Sequence, residues 1–268
     1  MSIASLGMYD LPEIAAATDA WWAGLARGLR REGVADVPAR LTRDRAAHVV
    51  WRAPDLLLSQ TCGYPLMHEF AGRLRVVATP CYDCIGCDGP NYCSLIVVRA
   101  ADVARPLADL RGRVAAANAA DSQSGYSALR AEVAPLARSG HFFSEVVLSG
   151  GHADSLALVA GGRADVCAVD CVTHALLTRH RPAAVAGLRV LGRTVAAPGL
   201  PYVTRADAGD ALVQRLRAAV FAALADPGLA AAREALLIAG AEVLPEGGYQ
   251  RIVEIEKAAQ ANGYARLA

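Results

Sequence analysis

The stretch RVAAANAADSQSGYS, residues 113–127, decides how the rest of the chain is read. RVAAAN (113–118) has the short apolar run of a buried strand, and SGYSALRAEVAPLA (124–137) carries the helical period. Between them lies a small polar segment in which Ser122, Ser124 and Gly125 stand where strand turns into helix. A helix start offers unpaired N–H groups and the positive end of a dipole. Two hydroxyls and a glycine that lets the backbone approach a bound group complete a site for an oxyanion. The plainer reading is that one serine caps the helix. The residues alone leave both open.

The same arrangement recurs downstream in SGGHADSLALVAGGRADVCAVD, residues 149–170. Glycines precede a helix that begins near His152, Ser155 lies within its first turn, and ADVCAVD (164–170) is another buried strand ending at Asp170. Working outward, IASLGM (3–8), DLLLSQT (55–61), RLRVVAT (73–79), CSLIVVR (93–99), SEVVLSG (144–150) and LRVLGRT (188–194) read as strands. A helix is expected from Pro12 to Arg31, and a helical tail from Asp210 onward. Strands alternating with helices predict an α/β protein with mostly parallel sheet. Ligands in such sheets bind beyond the strands' carboxyl ends, where this chain repeatedly places glycine or small polar residues.

Composition narrows the function. The 268 residues carry a formal net charge of +1, which leaves no electrostatic footprint for nucleic acid. No apolar run reaches the roughly 20 residues of a membrane helix, so no membrane insertion is expected. MSIASLGMYDLPEIAAATDAWW lacks the basic and apolar regions of a secretory signal. The sequence as it stands therefore reads as cytoplasmic, and a periplasmic location would need a leader ahead of it. No nucleophile elbow, zinc-protease motif, phosphate loop or dinucleotide fingerprint is present.

Four of the seven cysteines fall in TPCYDCIGCDGPNYCSLIVVR, residues 79–99. Cys81, Cys84 and Cys87 are three apart and Cys93 follows, a spacing that can ligate iron, zinc or an iron–sulfur cluster. Cys62 and Cys171 also lie at strand ends, with His174 one turn beyond Cys171, so a soft metal or a reactive thiolate is a further option. Cys167 suits the inert core. The opposing expectation is that no cofactor is held and the loop serves ligand binding or packing.

The chain resembles the phosphonate/phosphate-type substrate-binding proteins of ABC transporters. The resemblance rests on DLLLSQTCGYP, GPNYCSLIVVR, LADLRGRVAAANAADSQSGY, SGGHADSLALVAGGRADVCAVDCVTH and PGLPYVT. It implies a two-lobed type II periplasmic-binding-protein-like fold, each lobe a mixed, mostly parallel sheet flanked by helices. Residues 1–98 plus 192–268 would form one lobe and 99–191 the other, with a ligand cleft between them. By motif position Ser122, Ser124 and Gly125 would bind the anion, His152 and Ser155 flank it, and Asp170 orient a neighbouring group. Tyr9, Gln60, Thr61, Cys62 and Tyr92 would close the pocket. The implied function is binding of phosphate, a phosphonate or a related metabolite for an ABC permease. The same fold hosts enzymes, including the chorismate dehydratase of menaquinone synthesis and the pyrimidine-precursor synthase of thiamin synthesis. The alternative is thus a cytoplasmic enzyme using the thiols or a metal they hold.

Overall fold

A computed structural model describes residues 2–268 of the chain. In chain order the strands are β1 (Ile3–Ser5), β2 (Leu56–Gln60), β3 (Leu74–Tyr82), β4 (Cys87–Asp88), β5 (Asn91–Tyr92) and β6 (Ser94–Arg99). They continue with β7 (Val114–Ala117), β8 (Glu145–Leu148), β9 (Val166–Asp170), β10 (Leu188–Arg193), β11 (Ala197–Pro198), β12 (Tyr202–Arg205) and β13 (Ile238–Glu242). The α-helices are α1 (Ala15–Arg31), α2 (Ala47–Trp51), α3 (Gly63–Met67), α4 (Ala128–Val133), α5 (His152–Ala160), α6 (Cys171–His180), α7 (Asp210–Ala225), α8 (Ala230–Ala235) and α9 (Gln250–Ala261).

The described residues form two compact units. The first runs to Asp83 and adds Asp88–Pro90 and Gly199–Gly248, while the second is Cys84–Cys87, Asn91–Pro198 and Tyr249–Ala268. These limits differ from those expected, most plainly at the C-terminus. Ala259 of α9, together with Tyr264 and Leu267, packs into the core made by Leu129, Val133, Phe142 and Val166, so the tail belongs to the second unit.

The first unit holds a sheet in the order β1–β2–β12–β3–β13. Its β1 and β2 are parallel, and β12 runs against both β2 and β3. Its long helix α1 buries Trp21, Trp22, Leu25, Ala26 and Leu29, the apolar stripe that the helical period predicts. Buried side chains of that size contribute about 1.5–3 kcal/mol each. Both indole N–H groups are satisfied, Trp21 donating to Tyr202 Oη at 2.9 Å and Trp22 to the Pro38 carbonyl at 3.2 Å. Gly28 permits α1 to lie against α7, where an added Cβ would come within 3.0 Å of Ala219 Cβ.

The second unit holds the order β10–β6–β9–β7–β8. Here β7 is parallel to both β8 and β9, whereas β6 runs against β9 and β10. Both sheets are therefore mixed, with more antiparallel pairing than the alternation of strands and helices suggests. The reason lies in chain order. β12 is the first strand after the chain returns to the first unit and β6 the first strand of the second unit's five-stranded sheet, and each begins at the edge where a neighbour ends, Ser94 opposite Asp170 and Tyr202 opposite Gln60. A small sheet in the order β11–β5–β4 completes the pairing. The tail beyond Asp210 is helical except at β13, which pairs with β3. No helix among the described residues is long and apolar enough to cross a membrane.

Candidate functional site

Because β7, β8 and β9 are parallel, their carboxyl ends share one edge of the second unit's sheet, and the antiparallel β6 begins there. That edge gathers the turn after β7, the start of α5, the start of α6 and the residues around Ser94.

The turn after β7 is wide. Ser122 caps it, its Oγ accepting the Gly125 N–H at 3.0 Å, and Gln123–Ser127 form one π-helical turn before α4. The Ser127 N–H reaches back five residues to the Ser122 carbonyl at 2.9 Å. Such a bulge at a helix start is a recurrent feature of functional sites. Its local cause is close packing. A Cβ at position 125 would stand 1.9 Å from Asn118 Oδ1 and 3.2 Å from His152 Cε1, so only glycine fits. The Ser94 hydroxyl donates to the Ser124 carbonyl at 2.9 Å, and Thr194 Oγ1 accepts the Ser94 N–H at 2.9 Å. These bonds pin the turn to β6.

Ser124 Oγ lies 3.0 Å from His152 Nε2 and 3.4 Å from Ser122 Oγ. Both serines are buried. His152 opens α5 after Gly150, whose φ of +92° is a left-handed backbone that glycine adopts without strain. Burial pulls the His152 pKa down to about 4, opposed in part by the nearby Ala168 carbonyl, so the imidazole is neutral at pH 7. No well-formed hydrogen bond reaches His152 Nδ1, and Asn118 Oδ1 and Ser127 Oγ are buried without one as well. Ser124 Oγ and His152 Nε2 share one proton between them, and the tautomer of the ring sets which of them donates it. A narrow crevice lined by Tyr92, Cys93, Ser94, Gln123, Ser124 and Thr194 runs beside the turn. The structure thus brings together Ser122, Ser124, Gly125 and His152, with Tyr92 along the same crevice. Asn118 joins them and was missed, because an Asn after a strand is a common turn residue.

Two further expected members of this edge make local hydrogen bonds. Ser155 Oγ lies 2.7 Å from Ser149 Oγ, in the turn between β8 and α5. Asp170 Oδ1 accepts the N–H groups of Val172 at 2.8 Å and Thr173 at 3.0 Å, capping α6. In the first unit, Tyr9 and Gln60 line a small crevice with Trp21, Tyr82 and Tyr202. The Gln60 Nε2 donates to Tyr82 Oη at 2.9 Å and to the Leu200 carbonyl at 3.0 Å. Thr61 is fully buried, its N–H bonded to the Pro201 carbonyl, and Cys62 precedes α3.

The cysteines separate by unit. Cys81 lies on β3 in the first unit, and burial, then Glu242, pushes its thiol pKa up. Cys84, Cys87, Cys93 and Cys171 lie in the second unit. The Cys84 and Cys87 sulfurs are 3.5 Å apart, as are those of Cys87 and Cys171. The expected group of Cys81, Cys84, Cys87 and Cys93 is therefore not what assembles. Cys171 joins in place of Cys81, since the register of β6 on β9 carries Cys171 beside Cys93. Cys167 is buried in β9, as its core assignment requires.

The chain belongs to a family described as ABC transporter, phosphonate, periplasmic substrate-binding protein, whose model matches residues 15–258. It is thus a member of a class of substrate-binding proteins, and its fold is theirs. No curated protein matches the sequence. Among solved structures, a binding component of a phosphonate ABC transporter from Pseudomonas aeruginosa is similar with a TM-score of 0.76 at 16% identity, over 98% of this chain and 87% of that one. PhnD1 from Prochlorococcus marinus, in complex with methylphosphonate, gives 0.74 at 16% identity over 97% and 98%. A Xanthomonas citri protein bound to ATP gives 0.70 at 20% identity over 98% of both chains. Nothing in these likenesses supports the enzyme reading.

Proposed function

We propose that the protein binds a small phosphonate- or phosphate-like oxyanion at the carboxyl edge of the second unit's sheet and serves as the soluble receptor of an ABC permease on the periplasmic side. The observation that carries this reading is the Ser122–Ser124–Gly125 turn with His152 3.0 Å from Ser124. The opening turn of a helix leaves N–H groups without partners inside the helix, and here the Ser122 hydroxyl takes up that of Gly125. The start of the turn and its two hydroxyls offer donors of the kind an oxyanion requires. An oxyanion at the turn would compete with His152 as the partner of the Ser124 hydroxyl. Neutral His152 and the scarcity of lysine fit a site that works through dipoles and hydrogen bonds rather than net charge. In the first unit, Tyr9, Gln60 and Thr61 are proposed to contribute ligand contacts on the family resemblance.

Calorimetric titration with methylphosphonate and with phosphate tests the reading. The wild-type protein is expected to bind at least one of them. Loss of one hydrogen bond to a charged group costs about 1.5–3 kcal/mol, so Ser124→Ala should weaken binding by roughly ten- to a hundredfold. Absence of binding by both anions, or unchanged affinity in Ser124→Ala, refutes it.

A further inference from the structure

The sulfur cluster is independent of the anion turn and stands on separate observations. The Sγ atoms of Cys84, Cys87 and Cys171 all lie within 4.8 Å of one another. A zinc–thiolate bond is about 2.3 Å, and in a tetrahedron this sets neighbouring sulfurs about 3.8 Å apart. The measured separations of 3.5 Å for Cys84–Cys87 and Cys87–Cys171 are close to that edge. A polynuclear iron–sulfur cluster interposes several atoms between its cysteines and would hold them farther apart, so this spacing suits one ion.

The backbone is shaped to make the approach. Cys84 and Cys87 close a turn through the Cys87 N–H to the Cys84 carbonyl at 3.1 Å, and the Cys93 N–H returns to the Gly86 carbonyl at 3.0 Å. Gly86 has φ of +105°, and a Cβ there would stand 2.8 Å from Cys171 Cβ, 2.9 Å from Cys93 Sγ and 3.2 Å from Cys171 Sγ. A left-handed glycine is what brings the loop down onto the start of α6. The Cys171 N–H donates to the Cys93 carbonyl at 3.1 Å, which places Cys93 beside the group.

We infer that Cys84, Cys87 and Cys171 form a site for a single thiophilic d10 ion, zinc in the first instance, with Cys93 or a water in the fourth position. Soft thiolates select such ions over calcium or magnesium. Binding displaces the ligand protons and ties the loop between β3 and β6 to α6, a link spanning more than eighty residues of chain.

The full chain, reduced with a phosphine and freed of metal, is titrated with Co2+ and then Zn2+. The expected result is a sulfur-to-cobalt charge-transfer band with intense tetrahedral visible bands, saturating at about one equivalent and bleached by zinc. Cys84→Ser, Cys87→Ser and Cys171→Ser should each lose stoichiometric uptake, while Cys81→Ser and Cys62→Ser retain it. Should a ligand variant fail to fold, alkylation of the wild type with and without zinc reads the same point, with zinc protecting Cys84, Cys87 and Cys171 and leaving Cys81 reactive. The inference is overturned by a wild type that takes up neither ion, or by uptake that survives Cys171→Ser. Uptake that requires Cys81, or reduced protein that forms a disulfide within the group and binds no metal, also overturns it.

Discussion

A methyl group at position 125 would sit 1.9 Å from Asn118 Oδ1, so the turn after β7 keeps its present form because that residue is glycine. Beside it, His152 has a pKa of about 4 in place of 6.5, chiefly through burial. Between those values the unfolded chain takes up a proton at this ring that the folded chain refuses. The stability His152 confers is therefore complete above about pH 6.5 and declines as the pH falls toward 4, over an interval worth about 3 kcal/mol. Urea unfolding at pH 7 and pH 4.5 should show a smaller acid loss for His152→Gln than for the wild type. Comparing the two proteins isolates His152 from His174, whose pKa is lowered by burial, and from Asp165, whose pKa is lowered by the Val114 N–H and Arg99. Equal acid losses would contradict the burial account. That Ser122 and Gly125 stand where a strand turns into a helix was legible in the sequence, because such signals are local. The cap that Asp170 forms was not, because an acidic residue between strand and helix reads alike as a ligand contact and as a cap.

At the scale of elements, α4 and α9 are joined by Arg130 and Glu256, 3.3 Å apart with side chains only 4% and 11% exposed. Arg130 also donates to the Ala265 carbonyl at 2.7 Å, tying down the chain beyond α9. Removing one partner of a buried ion pair leaves the other charge uncompensated, at a cost of about 3–5 kcal/mol. Glu256→Ala should lower the stability measured by urea denaturation by that amount, and Glu256→Ala with Arg130→Met should recover part of it. A loss below about 1 kcal/mol, the range of an exposed pair, would contradict this account. The sequence showed a helical tail from Asp210 onward, within which α9 falls. It could not show which unit receives α9, because Ile252, Ile255 and Ala259 would suit either core. β12 and β13 were missed for a different reason. They span four and five residues, and IAGAE offers little β-propensity, so their pairing with β3 is decided by tertiary structure.

For the molecule as a whole, the α/β class and the family were legible because the supporting segments run along nearly the entire chain, and the family model covers residues 15–258. The limits of the two units were not legible, because the chain passes between them without any linker of distinctive composition. The assembly of the thiols was half legible: the spacing pointed to Cys84 and Cys87 as possible ligands, but only the register of β6 against β9 supplies Cys171. The central claim is that successive strand ends of the second unit present the opening amides of a π-helical turn to a small oxyanion. Heteronuclear NMR of the full chain with methylphosphonate added tests it most directly. The account predicts that the largest amide shifts fall on Gln123–Ser127 and His152, and that Gly125→Ala suppresses them. Saturable binding whose shifts leave those amides in place would contradict it.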